Sequence, residues 1–152
     1  MATEGMFCTF FLDRFFCGIE VERVQEVIRQ QRMTRIPLAP SRFRGLINLR
    51  GQIVTAIDPR QRIGLPERPA DREPMNVVVR CEDGAASLLV DEIDEVITVG
   101  ANTFAPAPHN IAESMRCLLR GVHKLPGRLL LIFDVDALLR ANHAETATPA
   151  RC

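Results

Sequence analysis

Two stretches of this chain repeat one another, and that duplication limits the folds open to it more than any other feature. Val21, Val24, Glu26, Val27 and Ile28 match Val90, Ile93, Glu95, Val96 and Ile97 in the pattern V-x-x-[VI]-x-E-V-I, at an offset of 69 residues. Ile36 to Pro40 (IPLAP) answers Phe104 to Pro108 (FAPAP) at an offset of 68. Gly45, Leu49, Gly51 and Asp58 answer Gly121, Leu125, Gly127 and Asp134 at an offset of 76, in the pattern G-x-x-x-L-x-G-x-x-x-x-x-x-D. The rise in offset from 68 to 76 places an eight-residue insertion between Pro108 and Gly121. Chance supplies one such anchor easily, but three in the same order indicate two copies of one unit.

A unit of about 65 residues buries only about 60% of its unfolded surface and is marginal alone, so the copies are expected to pack together. The apolar runs are short and bounded by turn residues: 6–12, 15–21, 45–57, 75–81, 86–90, 96–99 and 129–135. Several are rich in branched or aromatic side chains (Ile53, Val54, Ile57; Val77, Val78, Val79; Ile132, Phe133, Val135), which suit a pleated, half-buried surface. The reading is therefore all-β, as two small barrels sharing an interface. Helix is expected only at 136–144 and 110–119, with a frayed tail at 145–152. Gly45, Gly51, Gly121 and Gly127 are expected at turns flanking a strand pair, where a positive φ or a close backbone approach excludes a Cβ. The Pro-rich, charged stretch 59–74 reads as the connector between lobes.

Composition removes several function classes. No apolar run reaches the roughly 18–20 residues of a membrane span, and Glu4 sits where a targeting signal would carry basic residues, so a cytoplasmic protein without membrane insertion is expected. The formal net charge is zero, which disfavours phosphate-driven nucleic-acid binding. Yet residues 23–72 hold eleven Arg against four acids, and residues 73–115 hold eight acids against Arg80 alone. Such an uneven distribution suits docking by complementary charge. The five cysteines (Cys8, Cys17, Cys81, Cys117, Cys152) form no C-x-x-C pair, and the three histidines form no metal-ligand spacing, so neither a metal site nor a cofactor is indicated. The repeated Asp58 and Asp134 could in principle meet as an acid/base dyad, but their neighbours (Pro59, Arg60; Val135, Asp136) lack the expected dyad turn, and a strand-end carboxylate is the preferred reading. No nucleophile elbow or phosphate loop is present, so no catalytic residue is assigned. With no Trp or Tyr, a base-stacking surface is thin, and an RNA-binding small barrel stays a remote alternative.

The segments VERVQEVI (21–28), RIPLAP (35–40), GLINLRGQIV (45–54), LLVDEIDEVI (88–97) and GVHKLPGRLLLIFDVDALL (121–139) together resemble the CheW family of chemotaxis coupling proteins, in order from about residue 5 to 140. The resemblance implies two tandem SH3-like five-stranded β-barrels with short helices and a C-terminal helix: a domain over 5–142, barrels at about 5–73 and 74–142, and a flexible tail at 143–152. It implies a non-enzymatic adaptor that joins the cytoplasmic tips of methyl-accepting chemoreceptors to a CheA-type histidine kinase in membrane-associated arrays, with self-association in arrays left open. By the same resemblance Val24, Glu26, Asn48, Arg50, Ile93 and Val96 belong to the receptor face, and Arg44, Gln52, Ile53 and Thr55 to the kinase face. The bland alternatives are that the valines are core and that Arg50 only braces a loop carbonyl or a carboxylate such as Asp58. One departure stands out: Asp58-Pro59-Arg60 replaces the family's D-L-R. Proline there must end the strand or place it at an edge. The substitution also opens the alternative of a specialised pathway such as type IV pilus motility or development.

Overall fold

The computed structural model describes residues 4–29, 33–34, 43–82 and 84–144. The IPLAP stretch at 36–40, Cys152 and residues 145–152 of the expected tail lie outside these, as does the side chain of Arg44. Twelve strands are present among the described residues: β1 (Gly5–Leu12), β2 (Phe15–Glu20), β3 (Val24–Ile28), β4 (Met33–Thr34), β5 (Phe43–Leu49), β6 (Gln52–Ile57), β7 (Met75–Cys81), β8 (Gly84–Val90), β9 (Glu92–Val99), β10 (Phe104–Ala105), β11 (Leu119–Leu125) and β12 (Arg128–Phe133). Three short helices join them: α1 (Pro59–Arg62), α2 (Glu113–Arg116) and α3 (Val135–Ala144). The all-β reading and the C-terminal helix therefore hold. The helix expected at 110–119 shrinks to one turn, because Ala112 at its N-cap offers no side-chain acceptor and β11 already begins at Leu119.

The strands form two six-stranded sheets. Lobe I has the order β3-β7-β8-β6-β5-β4, and lobe II the order β9-β1-β2-β12-β11-β10. Each lobe has six strands where five were expected, the extra one being a two-residue strand, β4 or β10, at the rim of its sheet. The two orders are one list written twice, and the registers agree. Gly45 faces Ala56 and Leu49 faces Gln52, just as Gly121 faces Ile132 and Leu125 faces Arg128 at the offset of 76. The parallel pairing of Thr55 with Ala86 answers that of Leu131 with Cys17.

The sheets do not divide where the copies divide. The opening hairpin of the first copy, β1–β2, lies in lobe II between β9 and β12, whereas the opening hairpin of the second copy, β7–β8, lies in lobe I between β3 and β6. Each lobe thus takes its central hairpin from one copy and its remaining strands from the other. The division of the sheets is not the one expected at residues 73 and 74.

This exchange explains how the core is built. β1 and β7 are buried on both faces, so alternate side chains serve two cores. Phe10, Leu12, Cys17 and Ile19 of lobe II meet Val77, Val79, Leu88 and Val90 of lobe I in one shared cluster that Leu118, Phe133 and Leu138 complete. The opposite faces fill the separate lobe interiors, with Phe7, Phe16, Leu130 and Ile132 in lobe II and Ile47, Ala56 and Leu89 in lobe I. Burying each large aliphatic or aromatic side chain contributes about 1.5–3 kcal/mol, so the shared cluster fastens the lobes to each other.

The repeated aspartates are helix caps. β6 stops at Ile57, Pro59 occupies the first turn of α1, and the Asp58 carboxylate accepts the Arg60 N–H at 3.0 Å. Asp134 accepts the Ala137 N–H at 3.2 Å in the first turn of α3. Proline ends the strand there, as expected. It does so without disturbing β6.

Candidate partner-binding surfaces

The tip of lobe I is built by the chain Asn48-Leu49-Arg50-Gly51. Leu49 and Gln52 pair across a two-residue turn in which Arg50 has φ 53° and Gly51 φ 86°, the primed geometry that suits the right-handed twist of a hairpin. Asn48 stabilises it, its Oδ1 accepting the Gly51 N–H at 3.0 Å. Arg50 is thereby held outward with its side chain 74% exposed, and its Nη1 donates to Glu26 Oε2 on β3 at 2.5 Å. That hydrogen bond to Glu26 holds the guanidinium above its ordinary pKa. Arg50 braces Glu26, not Asp58. In lobe II the matching turn is Pro126-Gly127, with Pro126 at the position of Arg50 and Glu95 at that of Glu26; the cation nearest the turn is Arg128, whose guanidinium lies over the Phe16 ring.

The apolar residues assigned to the receptor face divide into two kinds. Val24 and Ile93 occupy equivalent places on β3 and β9, the edge strands of the two sheets, and both pack half-buried on the shared core. They are partly core. Val96 is different: it is 49% exposed, and its counterpart Val27 is exposed too. Of the kinase-face residues, Ile53 is 60% exposed and Gln52 is exposed, while Thr55 is half-buried in mid-sheet between Leu46 and Ala86. Leu129, the counterpart of Ile53, is also exposed. Gly51 and Gly127 lie at turns as expected, but Gly45 and Gly121 lie within β5 and β11, where they allow close crossings: a Cβ at Gly45 would meet the Thr34 carbonyl and one at Gly121 the Phe104 ring.

Sequence reasoning missed the principal buried polar feature. Arg60 Nη1 meets Asp91 Oδ2 at 2.5 Å, Arg68 Nε meets Asp91 Oδ1 at 2.7 Å, and Arg68 Nη1 meets Asp58 Oδ2 at 3.1 Å, all four side chains being buried. The Asp13 N–H, in the β1–β2 turn, also donates to Asp91 at 2.6 Å. Burial alone would push the Asp91 carboxyl up; the Asp13 N–H and the two guanidinium groups outweigh it and hold the carboxyl below its ordinary value. The stretch read as a connector is therefore pinned. No spacing in the sequence announces it, because its members come from three separate connections, β1–β2, β6–β7 and β8–β9.

None of this is reactive chemistry. Burial pushes the Cys8 and Cys17 thiols up, so neither is a nucleophile at neutral pH. His123 is enclosed by Phe7 and Phe104, with Nδ1 2.7 Å from the Thr103 hydroxyl. Among the described residues no group of three His, Cys, Asp or Glu could hold a metal ion, and no helix is long and apolar enough to cross a membrane. What the described surface offers is shape, exposed aliphatic side chains and the guanidinium that Arg50 presents at the tip of lobe I.

Comparison with known proteins gives the same picture. The CheW-like domain model matches residues 7–143. The chain is 31% identical over 132 residues to the chemotaxis protein CheW of Bacillus subtilis, covering 87% of this chain and 85% of that protein. It is 27% identical to the CheW of Rhizobium meliloti, covering 89% and 86%. Among solved structures, the scaffolding protein TtCheW from Thermoanaerobacter tengcongensis superposes with a TM-score of 0.79 at 27% identity, over 91% of this chain and 89% of that one.

Proposed function

Since the chain belongs to the CheW-like domain family, an adaptor family and not an enzyme family, we propose that it couples the cytoplasmic tips of chemoreceptors to a CheA-type histidine kinase. The observation that carries this reading is the pairing of exposed aliphatic residues by the duplication: Val27 with Val96, and Ile53 with Leu129. Single exposed apolar side chains are ordinary, but four at equivalent strand positions of two lobes form a repeated surface. Val24, Glu26, Asn48, Arg50, Ile93 and Val96 serve the receptor's helical hairpin, whose apolar face is read at i, i+3 and i+4. Arg44, Gln52, Ile53 and Thr55 serve the kinase's own CheW-like domain. Asn48 acts through the turn it closes, Glu26 through the guanidinium it holds, and Val24 and Ile93 as the half-buried floor beneath Val96.

The mechanism is binding. Each interface is of order 800 Å² per partner, with a few anchors dominating, and a receptor conformational change reaches the kinase because both are held on one rigid body. Assembly into arrays adds avidity, and the protein acts in the cytoplasm at the membrane-bound receptor tip. Pro59 of the Asp58-Pro59-Arg60 departure is absorbed as the first residue of α1.

Titrating purified receptor tips and kinase separately tests the assignment. Val96→Asp is expected to weaken receptor binding about tenfold and leave kinase binding unchanged, and Ile53→Asp to do the reverse. Arg50→Ala is expected to weaken receptor binding with an unaltered thermal transition, because its side chain is exposed. Loss of both partners in parallel with loss of folding would return these residues to a structural role.

A further inference from the structure

The lobe interiors are exchanged within one chain, and the two sockets that receive the hairpins are equivalent in order and register. A hairpin that crosses between lobes of one molecule meets the same partners in the lobe of another. The two crossovers are fastened very differently. The chain segments on either side of the β7–β8 hairpin are fixed by the buried Asp58, Arg60 and Arg68 before it and Asp91 after it, although Asp91 also bonds the backbone of the β1–β2 hairpin at Phe11 and Asp13. The β1–β2 hairpin leaves lobe II through a single 3-10 turn, Val21–Arg23, none of whose residues is buried. That turn is held by surface contacts: Arg23 to Asp136 at 2.9 Å, Arg23 to the Arg80 carbonyl at 2.9 Å, and Arg80 to the carbonyls of Glu22 at 2.8 Å and Val24 at 3.1 Å.

From this asymmetry we infer that a second copy of this chain is a partner, and that the exchanged element is β1–β2, placed between β9 and β12 of the other copy. Every pairing of the monomer is retained across the two copies: β1 with β9, β2 with β12, and the Asp13 N–H with Asp91. Phe7, Phe10 and Phe16 remain buried, so the cost is that of associating two chains and the yield follows concentration. This inference does not rest on the receptor and kinase reading. It concerns the interior of the fold, whereas that reading concerns its surface.

A mixed refolding experiment tests it. Met6 of β1 faces Thr98 of β9, and both side chains are exposed. One full-length protein carries Met6→Cys and another Thr98→Cys; they are unfolded together in denaturant, refolded by dilution at about 5 μM and about 500 μM, and oxidised mildly, with the disulfides mapped by peptide mass spectrometry. The link between positions 6 and 98 of different chains is expected in the co-refolded dimer, at a yield at least about fivefold greater at the higher concentration. The same proteins refolded separately and then mixed are expected to lack it. Equal linkage in both preparations, or dimers without this linkage, would overturn the inference. Arg23→Ala loosens the crossover and is expected to raise the exchanged fraction further; an unchanged fraction would show that the surface contacts are not what restrains the hairpin.

Discussion

The interior of lobe II carries aromatic rings where that of lobe I carries aliphatic or polar side chains, on a backbone of the same strand order and register. Phe7 and Phe16 of lobe II correspond to Asn76 and Ala85 of lobe I, Ile132 to Ala56, and His123 to Ile47. The exchange of size is compensated locally. Gly18 gives room to Leu130, Ile132 and Phe7, whose atoms lie 3.1–3.5 Å from where its Cβ would be, while the matching Ser87 of lobe I fills that room and donates to Asn76 Oδ1 at 2.7 Å. Asn76 in turn donates to the Arg29 carbonyl at 3.1 Å. A pair of Phe and Gly in one lobe is thus answered by a pair of Asn and Ser in the other. One sheet frame accepts an apolar or a hydrogen-bonded interior, provided the polar atoms are satisfied.

The largest effects are expected where the two lobes are joined. Asp91→Ala leaves Arg60 and Arg68 as buried charges without this carboxylate, and a loss of about 3–5 kcal/mol is expected in urea unfolding. The comparison of interiors is sharpened by a matched pair. Phe7→Ala opens a cavity in the ring-filled lobe and is expected to cost about 3–5 kcal/mol, whereas Asn76→Ala leaves Ser87 and the Arg29 carbonyl without their partner and is expected to cost about 1–3 kcal/mol. Equal costs would mean that the interiors are not energetically distinct.

Acid provides a smaller test. Asp91 is held below its ordinary pKa against burial by the Asp13 N–H, Arg68 and Arg60, and Asp136 by its hydrogen bond from Arg23. A carboxyl with a lowered folded pKa lends stability that is complete above the unfolded value near about 4 and is lost as pH falls through the folded one. The urea midpoint should therefore be level from about pH 7 to about pH 5 and decline below about pH 4. Asp136→Asn should change that decline only slightly, because its half-exposed pair with Arg23 is worth about 0–1 kcal/mol. A flat midpoint down to about pH 2 would show that neither carboxyl is coupled to folding.

Much of the site was legible because turns and edges are local. N-L-R-G gives a turn, and Asp58-Pro59 gives the end of a strand; that Asp58 also caps a helix inside the stretch read as a connector was not legible. Arg50 was singled out by the family resemblance, and its partner was not legible: Glu26 is 24 residues away, and only the fold that brings β3 to the β5–β6 turn selects it over Asp58. Exposure was equally hidden, since Val24 and Val96 both stand in apolar strand patterns, one on the core and one facing out.

By itself the amino-acid sequence determined the duplication, most of the strands, the turns at Gly51 and Gly127 and the strand ends at the two aspartates, the last three because each depends on residues a few positions apart. Tertiary structure alone decided which hairpin enters which sheet, and which arginine meets which carboxylate. The reason is the duplication itself. Copies with matching hairpins and matching sockets give the same local pairings whether the hairpins are kept or exchanged, so the pattern that reveals the repeat leaves the choice open. Packing of the shared core and the buried charges at residues 58–91 select the exchanged arrangement.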